Sequence, residues 1–220
     1  MQNYRTSAGT DTRLDYGMEL VAGLQLFPET EGLAPDFEQL NTDLEQAHTA
    51  RRALRAPMVK ARVALRFANF TTDQAIRSCG KAAEIADGGR RGPIFNALFP
   101  KGVSPVVAPT GARQVKPTEA LIDRMAASKH PAVVPFGAEW KPKLELALGK
   151  LTDAVAIHKA ARETYDNAFR AEVALRDEHR RYVDRLLGET RAVFAGDRGR
   201  QDLVFPVIDD GGSGGGEEES

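Results

Sequence analysis

Cysteine is almost absent from this 220-residue chain, with Cys79 standing alone. A single thiol closes no internal disulfide and builds no thiolate zinc cage, so the expectation is a reducing compartment. Net charge is also nearly absent. Thirty basic residues meet 31 acidic ones, giving a formal charge of -1 at pH 7. No overall field draws such a chain to nucleic acid or an anionic membrane, and binding to either needs a local patch. Long apolar runs are missing as well. The most apolar early stretch, Leu20 to Phe27, contains Gly23 and Gln25 and is far shorter than the roughly 20 residues that span a bilayer. Met1 to Asp15 is too polar for a secretory signal. These absences lead to the expectation of a soluble, cytoplasmic protein without membrane insertion.

What is present is ordinary for a globular protein, 42% hydrophobic and 28% charged residues, on a chain long enough for one substantial core or two small ones. A phrase repeats within it. Leu26-Phe27-Pro28 precedes Gly32-Leu33-Ala34-Pro35, Leu98-Phe99-Pro100 precedes Gly102-Val103-Ser104-Pro105, and a partial copy is Val204-Phe205-Pro206. Val63-Ala64-Leu65-Arg66 also reappears as Val173-Ala174-Leu175-Arg176. Two related halves, 33–105 and 138–210, fit this pattern, as does chance matching among frequent Ala, Leu and Arg.

Helical periodicity dominates. Phe37, Leu40, Leu44, Ala47, Arg51, Leu54, Met58, Ala61, Leu65 and Ala68 step by threes and fours, and the pattern continues through Phe67, Phe70 and Ile76 to a stop at Gly88-Gly89. The seam keeps its phase across Pro57, which favours a kink over a reversal. A second seam runs through Leu144, Leu148, Leu151, Val155, His158, Arg162, Tyr165 and Phe169, then Val173, Val183, Leu187 and Phe194. A reversal near Tyr165-Asp166-Asn167 would give a four-helix bundle instead. Leu14 to Phe27 fits two readings, a strand with Leu14, Tyr16, Met18 and Leu20 alternating, or a helix with Leu14, Met18, Val21 and Leu24 on one face; the helix is favoured, although Gly17 and Gly23 each cost about 1 kcal/mol in a helix interior. Between 88 and 117 the prolines leave room only for a packed irregular connection, and a short helix from Thr118 ends before Pro131. The predicted fold is all-α, an elongated bundle of long amphipathic helices. Residues 1–12 read as a flexible arm, 13–210 as one helical domain with the connection and short helix at 106–137, and 211–220 as a disordered Gly/Glu tail.

No arrangement of residues converges on chemistry. Glu45-Gln46-Ala47-His48 supplies one Glu-x-x-His pair of a dimetal site, but no second pair follows. The pair therefore reads as a surface histidine beside a surface glutamate. His158 on the seam suits either a register-fixing hydrogen bond or a ligand in an interhelical pocket with Tyr165. Cys79 among Ala and Ile reads as packing. Gly88-Gly89-Arg90-Arg91-Gly92 reads as a helix stop before it reads as a phosphate cradle. Arg176, Arg180, Arg181, Arg185 and Arg191 interleave with Glu172, Asp177, Glu178, Asp184 and Glu189, which reads as a salt-bridged solvated face. Arg51, Arg52, Arg55, Arg62 and Arg66 have fewer acids nearby, and with Arg90 and Arg91 they are the candidates for an anionic partner. Ile94, Phe95, Val106, Val107, Val133, Val134 and Trp140 form an apolar set needing cover, hence a candidate interface with a partner or a second copy.

The function expected from this reading is a noncatalytic helical scaffold, adaptor or assembly protein that binds other protein chains. One alternative is a nucleic-acid-associated protein using the Arg51 to Arg66 face. The other is an enzyme or ligand carrier with a pocket near His158. No cofactor or metal site is assigned.

Overall fold

A computed structural model describes residues 4–206; the Gly/Glu tail lies outside them. Among the described residues eight helices follow in order, α1 (Thr10–Leu24), α2 (Pro28–Glu31), α3 (Ala34–Ala86), α4 (Pro93–Leu98), α5 (Ser104–Val107), α6 (Ala112–Ala127), α7 (Val133–Val193) and α8 (Arg198–Val204), and there is no strand. The fold is all-α, as the periodicity requires. No helix among the described residues is long and apolar enough to cross a membrane.

Both long helices are continuous. Pro57 sits inside α3 without ending it, and α7 passes through Tyr165-Asp166-Asn167 unbroken. The chain divides into two units, one from 1–53 and 166–220, the other from 54–165. The division falls inside α3 and α7, so each of the two suggested sequence halves contributes to both units.

In unit 1, Tyr16, Leu20 and Leu24 of α1, Phe37 and Leu40 of α3, Val183 and Leu186 of α7, and Val204 with Phe205 form the core. Gly23 has a packing reason to be there, since a Cβ would stand 2.1 Å from the Val204 carbonyl oxygen. The expected flexible arm is packed from Tyr4 onward. The Tyr4 ring is 3% exposed and meets Tyr16 edge-on at 5.1 Å.

In unit 2, Ile76, Cys79 and Ala83 of α3 face Phe95, Leu98 and Phe99, Val106 and Val107, Leu121, Ile122 and Met125, and Val133 and Leu144 of α7. Ala68 meets Leu151 and Ala154 in a smaller cluster. The helix stop after Ala86 is real. Gly88 and Gly89 take φ of 84° and 86°, Gly89 N donates to Glu84 O, and only glycine adopts that backbone without strain. Asp87 then accepts from the amides of Gly92, Ile94 and Phe95, which starts α4.

Several boundaries differ from expectation. Helix α6 begins at Ala112, six residues before Thr118, and carries Pro117 inside; Asn69 Oδ1 accepts from Gly111 N at its start. Helix α7 begins at Val133 because Pro135 falls in its first turn, where the missing amide hydrogen costs nothing. Of the Phe-Pro rings, Phe99 and Phe205 are buried, and Phe27 is half-buried against Phe194.

Candidate functional site

The interior of unit 1 contains a polar network. Glu172 is fully buried on α7. Its carboxylate accepts from the Thr10 hydroxyl, from Arg51 Nε, from His48 Nδ1 at 3.0 Å and from Arg176 Nη2 at 2.6 Å. Burial alone pushes this carboxyl up, but the four donors outweigh it and hold the group down at about 2. Arg176 Nε also donates to Thr10 Oγ1 at 2.6 Å. The buried charge thus has donors around it, the condition under which a carboxylate tolerates loss of water.

A second chain of hydrogen bonds runs beside it. Arg13 Nη1 donates to the Tyr4 hydroxyl, Tyr4 donates to His179 Nδ1 at 2.7 Å, and His179 Nε2 donates to Asn41 Oδ1 at 2.9 Å. The direction follows from Asn41 Oδ1, which only accepts. Burial, then the nearby Arg13 charge, lowers His179 to about 4, so the ring is neutral at pH 7 and Nδ1 is left to accept from Tyr4. Arg13 is held by the carbonyls of Thr6, Ala8 and Arg176. Both chains tie residues 4–13 to α3 and α7.

These assignments correct the sequence reading. His48 is buried and faces Glu172 of α7, not Glu45. Glu172, read as part of a solvated face, is in the core, while Arg180–Asp184 and Arg185–Glu189 are the surface pairs that reading expected. Glu172, Arg176 and His179 step by four and three and continue the line of Val183 and Leu186. Polar identity at core positions concealed them.

An open groove lies on the outer side of α1 and α3 in the same unit. Its floor is Leu14, Met18 and Val21, its rim carries Asp11, Asp15, Glu38 and Glu45, and its volume is about 460 Å³. Asn41 reaches it from the network, held close to α1 because Gly17 has no side chain: a Cβ there would stand 2.3 Å from Asn41 Oδ1. In the sequence the groove is marked only by acids at four- and seven-residue spacing, Asp11 with Asp15 and Glu38 with Glu45.

In unit 2 the outer face of α3 is apolar and basic. Val63, Phe67 and Phe70 are 55%, 67% and 56% exposed, although both Phe rings were expected in the core. The actual seam is Leu65, Ala68, Thr72 and Ile76, and it turns them outward. Arg55, Arg62 and Arg66 are exposed on this helix. Beside Phe70, a hollow of about 380 Å³ is lined by Leu65, Arg66, Asn69, Asp73 and Gly111.

The remaining candidates scatter. Arg51 is drawn into the Glu172 network, and its guanidinium lies 5.8 Å from the Phe169 ring centre. Arg52 and Arg90 are exposed. Arg91 pairs with Glu84 and covers Phe95. Ile94, Phe95, Val106, Val107 and Val133 are buried in the core of unit 2 by the chain itself, and Trp140 packs half-buried against it; only Val134 is exposed. These side chains find cover at home because α4, α5 and α6 fold over α3 and the start of α7. Cys79 is buried, and burial pushes its thiol up to about 12, away from nucleophilic use. His158 and Tyr165 are half-buried on α7. Comparison with family models, with curated proteins and with solved structures gives no match to this chain.

Proposed function

We propose that this chain is a noncatalytic protein-binding module that receives an acidic amphipathic helix of a partner on the outer face of α3 in unit 2. One observation carries this reading: Val63, Phe67 and Phe70, at four- and three-residue spacing, hold their side chains in water on a continuous helix. Large apolar side chains aligned in this way are a recurring form of helix recognition. Charge selects the partner's sign, since Arg55, Lys60, Arg62 and Arg66 stand on the helix between Leu54 and Thr72, where there is no Asp or Glu. The hollow beside Phe70 offers an anchor site for one apolar side chain. A phosphate backbone fits less well, because apolar side chains run along the middle of the basic face and would meet the charge.

The test uses a synthetic helical peptide with one leucine face and one glutamate face, followed by fluorescence anisotropy. Affinity is expected to fall at least about tenfold, or about 1.4 kcal/mol, in Phe67→Ser/Phe70→Ser and in Arg62→Glu/Arg66→Glu, with melting unchanged. Equal binding by both variants overturns the reading. Preferential, salt-sensitive binding of single-stranded polyuridine that is lost in the arginine variant replaces it with the nucleic-acid alternative.

A further inference from the structure

We infer that the α1/α3 groove of unit 1 is a second, independent docking surface, and that its occupant is a basic amphipathic helical segment of a partner protein. Two helices side by side present a trough that a third helix can fill, and here Leu14 and Met18 lie in the trough with nothing from the described chain above them. Met18 is 61% exposed. The rim decides the occupant. Asp11 and Asp15 stand on the α1 side, Glu38 and Glu45 on the α3 side, and no lysine or arginine is among the lining residues. A helix with leucine-type residues on one face and lysine or arginine on its flanks would place apolar groups on Met18 and cations at both rims.

A second observation points to the same place. His48 is nine-tenths buried behind the groove wall. Its Nδ1 is on Glu172, while its Nε2 makes no hydrogen bond and lies 3.2 Å from Asp11 Oδ1. The Nε2–Asp11 approach is an ion pair only when the ring carries both protons, and the Asp11 carboxylate stays 78% exposed to an incoming cation. The same wall holds Asn41, the end of the Tyr4–His179 chain. The groove is therefore backed by a fully buried, hydrogen-bonded interior, which limits the rearrangement needed on docking. Because the chain as a whole is nearly neutral, attraction of a basic segment would come from this local rim and be strongly salt-dependent.

The experiment presents the full chain with three peptides: one with leucine and lysine faces, one with the same lysines and serine in place of leucine, and the leucine/glutamate peptide. The leucine/lysine peptide is expected to bind one to one, more weakly as salt rises, and at least about tenfold more weakly in Glu38→Lys/Glu45→Lys and in Met18→Asp. Phe67→Ser/Phe70→Ser should leave that binding intact, so failure here and failure at the α3 face of unit 2 are separable. All substituted positions are exposed, and unchanged thermal melting confirms folding. Equal affinity for the serine/lysine peptide overturns the inference, because charge alone would then suffice. Insensitivity to the groove variants overturns it by placing the peptide elsewhere. Self-association of the wild-type chain that disappears in the groove variants overturns it by making a second copy the occupant.

Discussion

Unit 1 and unit 2 are built from stretches of the same two long helices, yet they bury different kinds of interior. Unit 2 packs Cys79, Phe95, Phe99, Leu121 and Met125 in an apolar core, and the polar residues it buries, Thr72, Gln114 and Thr118, are uncharged. Unit 1 combines its apolar core with Glu172, His179, Thr10, Arg13 and Asn41, all at most 8% exposed. Apolar packing tolerates volume-conserving exchange, whereas a buried charge network depends on every partner. Unit 1 should therefore depend on a few charged residues and should respond to pH, while unit 2, whose buried polar residues are uncharged, should not.

The largest expected effect follows from removing the central carboxylate. Glu172→Ala leaves Arg51 and Arg176 facing each other without their common acceptor, and breaking a buried ion pair costs about 3–5 kcal/mol. Urea titration followed by far-UV circular dichroism checks it; a loss below about 1 kcal/mol, the scale of a surface pair, would erase the distinction between the units. In unit 2, Leu121→Ala should cost about 2–5 kcal/mol by leaving a cavity, at every pH from 4 to 7. Trp140, the only tryptophan, packs against the unit 2 core, so its fluorescence follows that loss.

A smaller effect separates the units by pH. His179 is lowered from 6.5 to about 4 in the folded protein. The unfolded chain therefore binds the proton first, and stability present above pH 6.5 is lost as pH falls toward 4. Glu172, lowered from 4.5 to about 2, extends the loss from pH 4.5 down to 2 with the same sign. Protection factors of the α1 amides, taken relative to the intrinsic exchange rate at each pH, should fall in the upper window, and His179→Gln should flatten that part of the dependence. Unaltered α1 protection between pH 6.5 and 4 would contradict the neutral histidine chain.

The smallest effect tests a single contact. Gly23→Ala should raise helix stability by about 1 kcal/mol on propensity alone; with a carbonyl 2.1 Å from the new Cβ it should instead destabilise unit 1 by about 1–3 kcal/mol. A higher melting temperature would show that α1 and α8 are not in this contact.

The two long helices were legible because their apolar residues recur at three and four over many turns. Phe37, Leu44, Ala61, Ala68, Leu144 and Leu151 are buried as their spacing requires. The helix stop at Gly88-Gly89 was legible for the same local reason. The candidate site was not. Phe67 and Phe70 fit the seam loosely in sequence, and only the phase fixed by Leu65, Ala68 and Thr72 against α7 turns them outward. The predicted interface set was sound as a list of apolar residues, but its cover comes from α4, α5 and α6.

Local periodicity, glycine stops and proline positions therefore determined that this chain is all-α with two dominant amphipathic helices, since these properties depend on neighbours within one or two turns. Tertiary structure alone decided that Glu172 and His179 lie inside. Their partners Thr10 and Tyr4 stand more than 160 positions away, and a carboxylate enters a core only where such distant donors converge on it. It also decided which faces stay open, because exposure depends on what packs across a helix, and no spacing within the helix records that.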